Sequence, residues 1–158
     1  MTPNKEDYLK CIYEIGTDMQ KITNKEIAAR MQVSPPAVTE MIKRMKSENL
    51  ILKNKENGYL LTDIGLKLVS ELYRKHRLIE VFLVHHLDYT SDQIHEEAEV
   101  LEHTVSDLFV KRLDKLLGFP QTCPHGGTIP AEGELLVEIN NLPLAAVQEA
   151  GTYLLTRV

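Results

Sequence analysis

Residues 23–45 read TNKEIAARMQVSPPAVTEMIKRM, and this stretch contains the start signals of two successive helices. Thr23 and Glu26 have the spacing of a capping box, in which each side chain satisfies a backbone N–H at the start of a helix; that helix is expected over 23–31. Ser34 can cap the second helix, and the two prolines after it are tolerated because the first helical positions need no intrahelical donor. The apolar side chains of the second helix recur with helical spacing, at Val38, Met41, Ile42 and Met45. Two short helices joined by a tight turn predict a helix-turn-helix motif.

The segments on either side of this motif complete a winged-helix pattern. Residues 3–15 are expected to form a preceding helix that is capped by Thr2. Behind the motif, short apolar runs at 50–53 and 59–62 flank a polar turn that contains Asn-Gly, the strongest short signal for a β-hairpin. Because a hairpin directly after the second helix of a helix-turn-helix is a wing, we expect a winged-helix domain over residues 1–65.

The basic residues of the chain are concentrated in this region. The whole chain has a net charge of -5, but residues 21–55 carry eight Lys or Arg against three acids, a local charge of +5. A basic surface favours a polyanionic partner, and the second helix of a winged helix-turn-helix enters the major groove of DNA. A solvated, lysine-rich helix pair without a nucleic-acid role is the alternative interpretation.

The candidate DNA-contacting residues lie on the second helix of the motif, on its cap, on the helix before it and in the wing. On the solvent face, Thr39 and Pro36 can contact thymine methyl groups and Glu40 can accept from a cytosine amino group. The lysines would hold phosphates. The complete set is Lys25, Ser34, Pro36, Thr39, Glu40, Lys43, Lys53 and Lys55.

The second half of the chain is predicted to be mostly helical. No Gly or Pro occurs over residues 66–117, so we expect helices at about 63–87, at 91–104 behind Ser91, and at 106–117 behind Ser106. Residues 118–143 contain four Gly and four Pro and should be mainly loop, although 134–139 resemble a strand. We therefore expect a mainly α fold, with a second, helical domain at 66–143. A linker and the first strand of an incomplete β domain would follow at 144–158.

This second half is acidic, and all six histidines lie in it. Glu99, Glu102 and His103 stand at i, i+3 and i+4, so on a helix the three side chains leave one face. Two carboxylates and an imidazole suit a divalent ion of intermediate hardness such as Mn²⁺ or Fe²⁺. Further candidate ligands are the helical pair His76 and Glu80, the loop pair Cys123 and His125, and His95. Each alone is more often a solvated or buried structural residue, but together they predict metal binding.

Other classes of protein are disfavoured by the sequence. No apolar run approaches the about 20 residues that cross a bilayer, and no leader pattern opens the chain, so a cytoplasmic protein is expected. Cys11 and Cys123 stand far apart, which disfavours a disulfide. No zinc-hydrolase motif, Gly-rich phosphate loop or nucleophile motif is recognisable, so the chain is not expected to be an enzyme.

Several groups of residues along the whole chain carry a family resemblance: Glu6 to Leu9, Ser34 to Thr39, Gly58 to Thr62, Arg77 to Glu80, Glu99 to His103, and Cys123 to Gly126 with Ile129-Pro130. With them the chain resembles the diphtheria-toxin-repressor family of iron- and manganese-dependent repressors, and its manganese-dependent branch in particular. The resemblance implies a winged-helix domain, a helical dimerisation and metal-binding domain and, in many members, an SH3-like third domain.

The resemblance also implies two metal sites. The first would consist of Asp7, His76, Glu99, Glu102 and His103, and the second would use Glu80, Cys123 and His125. The chain departs from the family at Lys10, where the two-manganese members carry an acid. This departure argues against a close binuclear pair of ions.

The function expected from these observations is that of a homodimeric, metal-activated repressor of metal-uptake genes. Mn²⁺ is the expected effector, with Fe²⁺, Zn²⁺ or Cd²⁺ as alternatives at one or both sites. The partners would be double-stranded operator DNA, divalent ions and a second copy of the chain, with no membrane involved. Two alternatives stay open: a winged-helix regulator that senses an organic ligand and, with less support, a small metallohydrolase.

Overall fold

A computed structural model describes residues 4–137, which form six helices and a two-stranded antiparallel sheet. The elements are α1 (Lys5–Thr17), α2 (Asn24–Met31), α3 (Pro35–Ser47), β1 (Ile51–Asn54), β2 (Gly58–Leu61), α4 (Asp63–Leu87), α5 (Ile94–Leu101) and α6 (Asp107–Leu116). The predicted mainly α fold with a winged helix-turn-helix is confirmed. The described residues divide into two compact units, with the boundary between Ser70 and Glu71.

Helix α1 starts and ends later than the predicted span of 3–15. Asn4 is its N-cap, because the Asn4 side chain accepts the backbone N–H groups of Glu6 and Asp7 at 2.8 and 3.1 Å. The Asp7 carboxylate accepts the backbone N–H of Asn4 at 2.7 Å and so completes a capping box. Thr2, the predicted cap, lies outside the described residues. Asp7 therefore has a structural role at the start of α1.

The Ser34 cap and the Thr23 half of the predicted capping box are confirmed, but the Glu26 carboxylate accepts Arg30 Nε at 2.8 Å and does not complete the box. Thr23 accepts the backbone N–H of Glu26 at 3.1 Å, and Ser34 accepts that of Ala37 at 3.4 Å. Gln32 has left-handed backbone angles and ends α2, which opens the tight turn to α3. Within the predicted apolar stripe of α3, Val38, Ile42 and Met45 are buried and Met41 is half-buried.

The wing is a short hairpin that packs against the chain before α2. Its strands pair antiparallel, with Ile51 opposite Leu61. Gly58 has a φ of +79°, and a Cβ at this position would collide with the backbone carbonyl of Ile22. The Ile22 N–H donates to the carbonyl of Asn57 at 2.9 Å. Only glycine fits at position 58, and its close approach joins the wing to the start of the helix-turn-helix.

In the second half, α4 and α6 agree with their predicted spans, whereas α5 is shorter than the predicted 91–104. Ser106 caps α6 by accepting the backbone N–H of Phe109 at 3.2 Å. Ser91 does not cap α5, because a turn over 90–93 delays the helix to Ile94. The helix stops after Leu101, whose carbonyl accepts the N–H groups of both Thr104 and Val105.

Residues 118–137 form the predicted loop region, with a single antiparallel bridge between Thr122 and Thr128. The part of the strand-like segment that the structure describes, 134–137, is not a strand, because no neighbouring strand pairs with it within the described residues. The expected linker and final strand at 144–158 lie outside the described residues.

Each unit has its own apolar core. The fully buried side chains of the first unit include Ile12, Ile15, Ile27, Val38 and Met45, and those of the second include Leu78, Ile79, Leu83, Ile94 and Val110. Cys11 and Cys123 are buried free thiols. Within residues 4–137, no helix has the length and apolar character needed to cross a membrane.

Candidate nucleic-acid interface and metal centre

The eight predicted DNA-contacting residues are all exposed in the structure. On α3, buried Val38 and Ile42 face the core while Pro36, Thr39, Glu40 and Lys43 lie at exposed positions. Lys53 and Lys55 are exposed in the wing, and Lys25 is exposed on α2. The first unit thus carries polar and basic side chains on the elements that contact DNA in winged-helix proteins.

A chain of hydrogen bonds runs from the wing to the exposed face of α3. The Tyr59 hydroxyl donates to Asn24 Oδ1 at 2.8 Å, and Asn24 Nδ2 lies 3.4 Å from Thr39 Oγ1. The Thr39 hydroxyl donates in turn to the carbonyl of Pro35 at 3.0 Å. These bonds restrict the rotamer of Thr39, a predicted base-contacting residue. The sequence analysis did not identify Asn24 or Tyr59, since nothing in their spacing indicates that wing and helix meet through them.

In the second unit, His76 lies between two buried carboxylates. Its Nδ1 is 2.6 Å from Glu102 Oε2, and its Nε2 is 3.1 Å from Glu80 Oε1. Glu80 and Glu102 are each only 2% exposed. His103 Nε2 lies 3.5 Å from the second oxygen of Glu102. Three residues predicted for the first metal site, His76, Glu102 and His103, therefore come together around one carboxylate.

The same oxygen of Glu80 also has two other imidazoles as neighbours. His95 Nδ1 is 3.7 Å from Glu80 Oε1, and His125 Nδ1 is 3.5 Å from it. Possible ligand atoms of His76, Glu80 and His95 all lie within 4.8 Å of one another, and so do those of Glu80, Cys123 and His125. The structure thus assembles the three residues predicted for the second site and adds His95 to the pair of His76 and Glu80.

Glu99 lies beside His95 in the second unit, and Asp7 belongs to the first unit. The Glu99 carboxylate is half-exposed and lies 3.4 Å from His95 Nε2. Helix α5 ends at Leu101, so Glu99 lies on the helix while Glu102 is its C-cap and His103 follows it. Asp7 belongs to the first unit, where it completes the capping box of α1.

A tight turn presents the ligands that come from the loop. The N–H of Gly126 donates to the carbonyl of Cys123 at 2.8 Å, and the N–H of Cys123 donates to the carbonyl of Gly127 at 2.9 Å. Pro124 occupies the second position of this turn, where its fixed φ is favoured. Cys123 is buried and His125 is partly exposed, so the thiol faces inward while the imidazole lies at the rim.

The electrostatics of the loop group favour cations. Burial acts to raise the pKa of Glu80, but the hydrogen bond and charge of His76, with the charge of His125, outweigh it and lower that pKa to about 2. Burial, followed by the negative charge of Glu80, raises the pKa of the Cys123 thiol above its ordinary value. The carboxylate is therefore ionised at neutral pH, whereas the thiol must lose a proton before it can bind a metal.

The donor atoms fit a divalent metal ion. Ligands bound to one ion at about 2.0–2.3 Å lie about 3–4 Å from each other, and the 3.5 Å between His125 Nδ1 and Glu80 Oε1 falls in that range. A thiolate with imidazole and carboxylate suits Zn²⁺ and related soft ions. Carboxylates with imidazole, as in His76, Glu102 and His103, suit Mn²⁺ or Fe²⁺.

Two family models match the chain over most of its length. The N-terminal DNA binding domain of iron dependent repressors matches residues 1–59, and their metal binding and dimerisation domain matches residues 62–131. The iron-dependent repressor IdeR of Mycobacterium tuberculosis is 32% identical over 153 residues, which are 97% of this chain and 65% of the relative. The diphtheria toxin repressor of Corynebacterium diphtheriae is 32% identical over 130 residues, which are 82% of this chain and 58% of the relative. The chain thus spans less than two thirds of the length of these relatives.

Solved structures support the same family and have higher sequence identity to this chain than the relatives above. The structure of ScaR with bound Cd²⁺ has a TM-score of 0.90 and 72% identity, and the match covers 99% of this chain and 73% of that one. The manganese regulator SloR has a TM-score of 0.85 and 64% identity, with 100% of this chain and 74% of that one covered. Both similarities extend over the winged helix and the helical unit.

Proposed function

Because the chain belongs to the iron-dependent repressor family, we propose that it is a metal-activated, DNA-binding transcriptional repressor with Mn²⁺ as its effector. The family consists of transcriptional repressors and not of enzymes, so the metallohydrolase alternative is dropped. We further propose that the protein acts in the cytoplasm on metal-uptake genes.

DNA contact is assigned to the first unit. The exposed Thr39, Glu40 and Lys43 of α3 support direct contact with base edges and phosphates in the major groove. The exposed wing lysines, Lys53 and Lys55, support contact with the neighbouring phosphates. Lys25, Ser34 and Pro36 complete the proposed interface, since Ser34 and Pro36 lie at the start of α3 and Lys25 follows Asn24, which contacts Thr39.

Metal binding is assigned to two sites, and the residues of the second unit support both. The proposed first site takes His76, Glu99, Glu102 and His103, with Asp7 added on the strength of the family resemblance. The proposed second site takes Glu80, Cys123 and His125, and His95 is available beside Glu80. A bound ion would supply positive charge that holds several carboxylates and imidazoles in one arrangement, and by this it would bias the orientation of the DNA-binding domain.

Homodimer formation is the third part of the proposal. Helix α6 and the loop that follows it carry apolar side chains that stay largely exposed in the single chain: Leu108, Phe109, Leu116 and Phe119. Large apolar side chains exposed on one short segment favour burial against a partner. A dimer would hold two copies of α3 about 34–36 Å apart, the distance between successive major grooves on one face of DNA.

The observation that carries this proposal is the presence, in one chain, of an exposed basic recognition helix and of buried carboxylates surrounded by imidazoles and a thiol. The decisive experiment is a gel-shift titration on promoter DNA with chelator, Mn²⁺, Fe²⁺ and Zn²⁺ in parallel. We expect chelator to weaken operator binding and Mn²⁺ to restore it. DNA affinity that does not change on chelation would favour a sensor of an organic ligand instead.

A further inference from the structure

Arg77 is a buried arginine on α4, three residues before Glu80, and it contacts the loop that carries Cys123 and His125. It is only 7% exposed. Its Nη1 donates to the backbone carbonyl of Thr128 at 2.5 Å, and its Cζ lies 4.8 Å from the ring centre of Tyr73. A buried guanidinium with a charge-assisted hydrogen bond is strongly held in place, so the Thr128 backbone is fixed to α4.

Gly127 brings the loop backbone into direct contact with the same guanidinium. A Cβ at Gly127 would lie 2.8 Å from Arg77 Nε and 2.9 Å from Arg77 Cζ, closer than a real Cβ approaches. The neighbouring Gly126 has a φ of +80°, which favours glycine for reasons of backbone conformation. At Gly127 the requirement is different, because the missing side chain leaves the space that Arg77 occupies.

The anchored residues are linked to the metal ligands through the backbone of the loop. The N–H of Cys123 donates to the carbonyl of Gly127 at 2.9 Å, and Thr122 forms a bridge with Thr128. A shift of residues 127–128 relative to α4 would therefore move Cys123, and with it His125. Since Glu80 lies on α4 itself, the contact with Arg77 sets the distance between the loop ligands and the helix ligand.

We propose that Arg77 and Gly127 form a clasp that positions Cys123 and His125 opposite Glu80 and so prepares the second site for metal binding. This inference rests on the proposed second metal site. Arg77 is a positioning residue in this account and acts through the backbone of residues 127–128. Ligands that are already ordered bind an ion more tightly than ligands that must first be ordered, because the entropy loss has been incurred on folding.

The test measures metal affinity in two variants and in their combination. Cd²⁺ is titrated into the full chain and followed by the charge-transfer absorption of the Cd²⁺–thiolate bond, and Zn²⁺ binding is measured by calorimetry. We expect Arg77→Gln to weaken binding at the Cys123 site by about 10–100-fold, as is typical for residues that support metal ligands. Gly127→Ala should weaken it in the same direction because the new methyl group displaces the guanidinium. If the two residues act as one unit, the double variant should lose no more Cd²⁺ affinity than the single variant that binds Cd²⁺ more weakly.

Arg74→Gln is the matched control. Arg74 lies on the same helix, three residues earlier, and is 2% exposed, but its Nη2 pairs with Asp114 at 2.7 Å and not with the loop. This substitution should lower the melting temperature and leave the Cd²⁺ affinity of the folded protein unchanged. An equal loss of Cd²⁺ affinity in Arg74→Gln would overturn the proposal, because the effect would then be general destabilisation.

The remaining outcomes distinguish a failure of the clasp from a failure of the second metal site. The clasp is wrong if the parent protein binds Cd²⁺ through Cys123 and both Arg77→Gln and Gly127→Ala keep the parental affinity. If Arg77→Gln does not fold, Gly127→Ala decides the question. A parent protein whose Cd²⁺ titration matches that of Cys123→Ser would refute the second site, and the clasp with it.

Discussion

One carboxylate oxygen, Oε1 of Glu80, has three imidazole nitrogens as neighbours, from His76 at 3.1 Å, His125 at 3.5 Å and His95 at 3.7 Å. The first of these belongs to the proposed first site and the second to the proposed second site. An ion on one side of Glu80 therefore changes the charge that the other side experiences. Experiments on single residues should therefore measure metal binding at the two sites with separate signals.

At the second site, we expect Cys123→Ser to weaken Zn²⁺ binding more than Mn²⁺ binding. A thiolate prefers the softer Zn²⁺, whereas the hydroxyl that replaces it is a poor ligand for either ion. Calorimetric titrations with each metal measure the difference. Equal losses for both metals would show that the thiol does not contribute to selectivity.

The affinity of the same site for Zn²⁺ should rise with pH. Burial and the charge of Glu80 raise the pKa of the Cys123 thiol, so the thiol is protonated at neutral pH and the metal must displace its proton. Affinity should therefore increase by up to about tenfold per pH unit while the pH stays below that pKa. Glu80 adds nothing to this slope, because its pKa of about 2 keeps it ionised throughout. Competition titrations at several pH values should give a slope that is smaller by about one proton in Cys123→Ser.

Asp7→Asn should separate the two roles assigned to Asp7. An asparagine oxygen can still accept the backbone N–H of Asn4, so the capping box of α1 is kept. The loss of charge should remove most of the metal-induced gain in operator affinity, typically about 1–3 kcal/mol for coupled sites. Gel shifts with and without Mn²⁺ measure that gain.

Asn4→Ala provides the complementary control. It removes the cap at a cost of about 1 kcal/mol in stability while the Asp7 carboxylate remains, so its metal response should be intact. A parental Mn²⁺ response in Asp7→Asn would refute the role of Asp7 as a metal ligand.

At the scale of helices and strands, the sequence predicts a helix start correctly where a local side-chain cap determines it. Where a cap residue directly satisfies a backbone donor, as at Thr23, Ser34 and Ser106, the helix start could be predicted. Helix α5 was mispredicted because the turn over 90–93 competes with Ser91 as a start. A local cap signal cannot show which of two competing turns is stabilised by the packing around it.

The bond between the wing and the recognition helix leads to a prediction at this scale. Tyr59→Phe removes the hydroxyl that donates to Asn24 at 2.8 Å, which should cost about 0.5–1.5 kcal/mol in stability. Because Asn24 then holds Thr39 less firmly, affinity for the operator should fall more than affinity for unrelated DNA. Parallel gel shifts on operator and non-operator duplexes measure the ratio.

Lys53→Gln is the matched change for that experiment. It removes one proposed phosphate contact and should weaken binding to both duplexes similarly. If Tyr59→Phe also weakened both equally, the hydrogen-bond chain would have no part in sequence recognition.

At the scale of the whole molecule, the sequence could predict the two-part architecture and the candidate metal ligands, but not the distances between those ligands. The winged helix follows from local caps, the Asn-Gly turn and the apolar stripe of α3. The metal ligands come from α4, α5 and a loop, and their distances depend on how those elements pack. For that reason the placement of His95 between Glu80 and Glu99 required the structure.

The uneven charge of the chain yields the last prediction. The chain as a whole carries -5, so its net charge opposes DNA binding, and attraction must come from residues 21–55 with their +5. Operator affinity should therefore fall steeply with salt, by about 0.9 in log–log slope for each phosphate contact. Lys43→Gln should reduce the slope by about 0.9 for each copy of the chain on the DNA.

Lys111→Gln changes the net charge equally, but Lys111 lies on α6 and is exposed outside the basic region. The salt slope of Lys111→Gln should match that of the parent protein in filter-binding titrations over a range of salt concentrations. If Lys111→Gln reduced the slope as much as Lys43→Gln does, total charge and not a localised basic surface would govern binding.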